Sequence, residues 1–91
     1  MRQSGRTTEL MKEAPPGSVY VWVNHHLDYP LALAQALGRG DLQIVSPSWL
    51  DYRWRGLQIS GLVLDHAVDL TEQQWDAVDH IRMRNAKRTR T

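Results

Sequence analysis

Between Ser18 and Asn24 the chain reads SVYVWVN, five β-branched or aromatic residues in succession with no polar residue alternating among them. A strand with one face in water alternates apolar and polar side chains, so an unbroken run of this kind must be covered on both faces, as strands in parallel sheets are. Helices are therefore required above and below it. The rest of the 91-residue sequence offers them in alternation with further apolar runs, which implies a single small three-layer α/β domain with a short, mostly parallel sheet of three strands.

The predicted elements follow from local chemistry. Residues 7–14 (TTELMKEA) are helix formers, stopped by Pro15-Pro16-Gly17. After the strand at 18–24, Asp28 is placed to cap a helix over 29–37, Pro30 falls in its first turn, and Gly38 is placed to end it. Leu42 to Ser46 is a second strand, residues 49–58 a short helical turn and loop, and Ile59 to Leu64 a third strand ending at Asp65. Thr71 and Gln74 have the spacing of a capping box, opening a helix over 72–83 with Trp75, Val78 and Ile81 on its core face. The domain spans 1–83, and 84–91 reads as a basic, flexible tail.

Composition narrows the function classes. Without cysteine there is no disulfide framework and no thiolate metal site, and without phenylalanine the four tryptophans carry much of the large apolar volume. No apolar run is long enough for a membrane helix and Met1 to Gly5 lacks the apolar segment of a signal peptide, so a cytoplasmic location and no membrane partner are expected. The net charge of +1 conceals an acidic body, −4 over residues 1–81, and a basic end, +5 over residues 82–91.

In a parallel α/β sheet, ligands gather at the carboxyl ends of the strands. Those ends carry Asn24-His25-His26, Ser46-Pro47-Ser48 and Asp65-His66. Upstream, Ser4-Gly5-Arg6-Thr7-Thr8 lies directly ahead of the first helix. A phosphate loop needs a glycine, a cation, a hydroxyl for magnesium and a helix N-terminus, and Gly5-Arg6-Thr7 matches the last three positions of GxxxxGK[ST] with arginine for lysine. The pattern's first glycine would fall just before Met1, and a polar arm whose Thr7 caps a helix is the competing reading. An apolar strand ending in Asp65 can hold magnesium through a rigidly mounted carboxylate, while a turn-forming aspartate explains the same residues. A metal site from His25, His26 and His66 is disfavoured, because side chains of adjacent residues diverge.

The stretch from Leu42 to Leu70 resembles the segment of DEAD/DEAH-box helicases running from their TPxxL motif to the DEAD/DEAH motif, with Ser46-Pro47-Ser48-Trp49-Leu50 and Asp65-His66-Ala67-Val68-Asp69 as the corresponding residues. With Gly5-Arg6-Thr7 upstream, the resemblance covers about residues 4–70 and extends to small P-loop proteins of phage and bacterial genomes that carry a GRTT loop. It implies a truncated P-loop NTPase-like domain in which Gly5, Arg6, Thr7 and Thr8 approach the phosphates of ATP or another nucleotide. Thr7 and Asp65 would hold Mg²⁺, and Asn24, His25, Ser46 and His66 would line the rim. Arginine for lysine, the missing first glycine and His66 in place of an acidic neighbour point away from an active hydrolase.

Three functions are therefore compatible with the chain. The first is phosphate or nucleotide binding with little or no hydrolysis. The second is a phage-type interaction or inhibitor protein that binds a host protein, or a second copy of itself, at an open sheet edge. The third is nucleic-acid binding through Arg53, Trp54, Arg55 and the basic end.

Overall fold

The computed structural model of the chain describes residues 3–54, 56 and 59–89. Seven elements follow in order: α1 (Gln3–Glu13), β1 (Val19–Val21), α2 (Asp28–Ala36), β2 (Gln43–Val45), α3 (Trp49–Tyr52), β3 (Leu62–Leu64) and α4 (Glu72–Thr89). The three strands are parallel in the order β2-β1-β3, so the fold is the three-layer α/β arrangement expected from the sequence. β1 lies in the middle, buried at all three positions, as its unbroken apolar run requires. The open edges belong to β2 and β3, so no gap is left inside the sheet by a missing strand.

Period-two alternation divides the core. Tyr20, in register with Ile44 and Val63, packs with Met11 and Ala14 of the first helical segment and Ala34 of α2. Val19, Val21 and Val45 face the opposite way, onto Trp49 and Leu50 of α3 and Ala77, Val78 and Ile81 of α4. The crossover from β1 to β2 thus uses one face, and the return from β2 past β1 to β3 uses the other. Opposite directions on opposite faces give both crossovers the same hand, as parallel strands demand.

Local signals place several ends where expected. Gly38 adopts φ +73°, and the bonds from Gly38 N to Gln35 O and from Arg39 N to Ala34 O close α2 in a Schellman arrangement. The capping box forms reciprocally: Gln74 N donates to Thr71 Oγ1 (3.1 Å) and Thr71 N to Gln74 Oε1 (3.0 Å). Arg39 ties the first layer together, donating to Met11 O (2.7 Å) at the end of α1 and to both carboxylate oxygens of Asp41. Asp41 is held well below its ordinary range by Arg39, with the Gly17 N–H as the second donor.

Five expectations are corrected. Residues 4–8 are not a loop ahead of a helix but the opening turns of α1, because a lone glycine costs only about 1 kcal/mol in a helix that also holds Gln3, Arg6 and the good formers of residues 9–13. Asp28 does not cap α2; Leu27 occupies that position, and Asp28 sits in the first turn, where its charge suits the helix dipole. Trp75 is 43% exposed, since the inward stripe of α4 is Gln74, Ala77, Val78 and Ile81, at i, i+3, i+4 and i+7. α4 runs on through residues 84–89, past the end expected at Met83. The strands are also shorter than read, because the flanking residues turn away from the ladder after one further bond at each end, such as Trp22 N to Val45 O.

Candidate functional site

The order β2-β1-β3 decides where a ligand cleft can open. The chain leaves β1 toward the α2 layer and leaves β3 toward the α4 layer, so the loops beyond these neighbouring strands diverge. In doubly wound sheets with this strand order, a crevice forms at that point, outside the carboxyl ends of the two strands. A cleft of about 260 Å³ lies there, lined by Thr7, Trp22, Val23, Tyr29, Asp65, His66 and Ala67.

Asp65 is its polar centre. Oδ1 accepts hydrogen bonds from Thr7 Oγ1 (2.9 Å) and from the Tyr20 hydroxyl (2.6 Å), and Oδ2 accepts the Ala67 N–H (3.2 Å). Its own N–H donates to Val21 O, extending the pairing of β3 with β1 by one residue. All three side chains are buried, Thr7 at 4%, Tyr20 at 0% and Asp65 at 3% exposure. One carboxylate therefore joins α1, β1 and the end of β3, and among the described residues no buried side-chain polar atom lacks a partner.

The tie reaches Tyr20 electrostatically. Burial pushes the phenol far above its ordinary value of 10.0, and the hydrogen bond and negative charge of Asp65 add to the shift, while the Thr7 hydroxyl opposes it. Below pH 10 the phenol is neutral both folded and unfolded, so the contribution is constant. Above pH 10 the unfolded chain loses this proton and the folded one does not, so stability falls by up to about 1.4 kcal/mol per pH unit. Urea unfolding at increasing pH is expected to show this alkaline loss, and Tyr20→Phe to flatten it. An unchanged profile in Tyr20→Phe would assign the loss to other groups.

The sequence-predicted residues divide into three groups. Thr7, Asp65 and His66 meet at the cleft; Arg6 is exposed and Thr8 half-buried beside Thr7, and Gly5 lies in the first turns of α1. Asn24, His25 and His26 form an exposed turn, in which His26 N donates to Asn24 Oδ1 (2.9 Å) and the two imidazoles stack 4.3 Å apart, outside the cleft lining. Ser46 is likewise not on this rim: it lines a separate cleft of about 330 Å³ beyond β2 and pairs with the Ser48 hydroxyl at 2.9 Å. Arg53 lines that second cleft, Trp54 Nε1 donates to Leu50 O (3.0 Å), and Arg55 lies outside the described residues. Among the described residues no group of three or more His, Cys, Asp or Glu could hold a metal by itself, and no helix is long and apolar enough to cross a membrane.

Sequence reasoning missed Tyr20 and the Trp22–Tyr29 wall, whose rings lie 5.8 Å apart. A usable signal for Tyr20 existed, because a phenol in a strand covered on both faces must find an acceptor. No family model, curated protein or solved structure matches the chain.

Proposed function

We propose that the cleft beyond β1 and β3 binds a nucleotide through its phosphates, with little or no hydrolysis. The supporting observation is the 2.9 Å bond between Thr7 and Asp65, a hydroxyl and a carboxylate 58 positions apart that meet at the edge where such sheets bind ligands. Magnesium takes hard oxygen ligands, only one or two from protein, and leaves its other positions to water and phosphate. Thr7 and Asp65 suit an ion arriving with its phosphate, and among the described residues no third acidic or histidine ligand joins them, which argues against a site for the ion alone. Bound there, the ion would offset the charge of a phosphate beside Asp65.

The protein's own contribution is orientation and positive potential. Asp65 is fixed in place by Tyr20 and the Ala67 N–H. α1 enters the amino end of β1 through the turn at residues 14–18, so it runs antiparallel to the strand and directs the positive end of its dipole toward the carboxyl edge. Arg6 adds an exposed cation next to Thr7. His66 stands where the P-loop hydrolases that the sequence resembles usually carry a glutamate that positions water, which favours binding without turnover.

Calorimetric titration with ATP and magnesium tests this reading. Wild-type protein is expected to bind, and Arg6→Ala and Asp65→Asn, each checked for an intact fold, to weaken binding at least about tenfold, a change of about 1.4 kcal/mol. Folded variants that bind as tightly as wild type, or a wild type that gives no heat, would refute it.

A further inference from the structure

The second cleft, beyond β2, is built differently from the first. Its floor is apolar, from Leu27, Ile44, Val45 and Trp49, and its rim carries the paired hydroxyls of Ser46 and Ser48, the Tyr52 ring and Arg53. Tyr52 is 69% exposed, the most exposed large hydrophobic side chain among the described residues. An exposed ring beside an apolar slot with hydroxyls at its mouth suits a planar heteroaromatic base, which stacks through its face and hydrogen-bonds through its edge. Arg53 follows directly, and its planar fork suits a phosphate.

From Arg53 the surface leads onto α4. Trp54 lies 6.2 Å from His80, and Arg84 stands one helical turn beyond His80. After the buried Ile81, Arg82, Met83 and Arg84 are exposed, and the helix continues to Thr89, about 12 Å beyond Ile81. Residues 82–89 carry four basic residues and no acidic one, with Arg84, Lys87 and Arg88 at the i, i+3, i+4 spacing of one helix face. The acidic residues of α4, Glu72, Asp76 and Asp79, all lie in its first half, and Asp51 beside Trp54 is engaged by Gln74 Nε2 (3.3 Å).

We propose that this outer face of the α3 and α4 layer binds single-stranded nucleic acid, with a base in the cleft against Tyr52 and the phosphate backbone running over Arg53 toward the basic half of α4. Charge selects a polyanion. The stretch RMRNAKRT selects further, since the exposed Met83 is its one large apolar residue, too little to make an apolar face that enters a membrane or the apolar centre of a protein interface. The exposed aromatic and its cleft then favour a single strand, whose bases are free to stack, over a duplex, whose bases are not. This site is separate from the cleft at Asp65 and stands or falls independently of it.

Fluorescence anisotropy of the whole chain with labelled oligothymidylate tests the proposal between about 50 and 200 mM salt. The expected result is saturable binding whose log affinity falls with log salt at a slope of about −3, as four neutralised phosphates on a single strand require. Tyr52→Ala is expected to weaken binding about 5- to 100-fold with the slope unchanged, because it removes stacking and no charge. Combining Arg84→Gln, Lys87→Gln and Arg88→Gln, with an unchanged circular dichroism spectrum, is expected to make the slope shallower by about 2. No binding at about 50 mM salt, equal or tighter binding of a duplex or of anionic lipid vesicles, or indifference to both sets of substitutions would overturn it.

Discussion

Asp65→Ala is expected to lower the unfolding free energy by about 3–5 kcal/mol, measured as a drop in the urea midpoint with an unchanged slope. The substitution strands three donors at once: the Thr7 and Tyr20 hydroxyls and the Ala67 N–H. Each hydroxyl sits on a side chain less than 5% exposed, and that of Tyr20, which does not line the cleft, is left without an acceptor in the core. A domain of this size has roughly 5–15 kcal/mol of stability, so the loss is a large part of the whole. Asp65→Asn is expected to fall between alanine and wild type, because Oδ1 can still accept both hydroxyls while the amide nitrogen faces the Ala67 N–H, donor against donor. Thr7→Val or Tyr20→Phe alone should cost only about 1–2 kcal/mol, since the carboxylate keeps its other partners. A midpoint for Asp65→Ala within error of wild type would mean that the three elements are not held through this carboxylate.

Gly61 carries the second large effect, and the reason is space rather than charge. A Cβ at this position would lie 2.6 Å from Ser18 Oγ and 3.4 Å from Pro15 Cγ. Ser18 cannot swing aside, because it is fully buried and its hydroxyl donates to Pro15 O at 2.6 Å. Nor can the backbones part, since Val19 N donates to Gly61 O (2.9 Å) where β1 enters the sheet. Gly61→Ala is therefore expected to cost about 1–3 kcal/mol, and Gly61→Val more. Ser18→Ala removes the clashing oxygen, so in the double variant with Gly61→Ala the two costs should fall short of their sum by about 1 kcal/mol, readable in a double-mutant cycle. Additive costs would show that the two residues do not meet.

Different parts of this architecture were visible in the sequence to different degrees. The capping box at Thr71 and Gln74 and the terminator at Gly38 were legible because each depends on residues within one turn of helix. The parallel sheet was legible because a doubly covered strand leaves a composition that a half-exposed strand does not. The Thr7 and Asp65 positions were legible as a pair only through their resemblance to two distant motifs, and they do meet.

Local pattern could not place the rest. Trp75 reads as a core residue by composition, but the orientation of α4 against the sheet turns Gln74, Ala77, Val78 and Ile81 inward and leaves the indole half in water. Ser46 reads as a neighbour of Asp65, but β1 separates their strands, so each serves its own cleft. Tyr20 reads as one more apolar strand residue until the position of β3 beside β1 brings Asp65 to its hydroxyl.

The amino-acid sequence by itself determined which segments form strands and helices, where several of them stop, and that the strands must be parallel and sandwiched, because these outcomes rest on backbone preference and short-range periodicity. Only the tertiary structure decided the strand order β2-β1-β3, and with it which loops share a cleft, which carboxylate accepts the buried phenol and which stripe of α4 turns inward. Those outcomes depend on packing between residues tens of positions apart, where the hydrophobic effect rewards burial without specifying the partner.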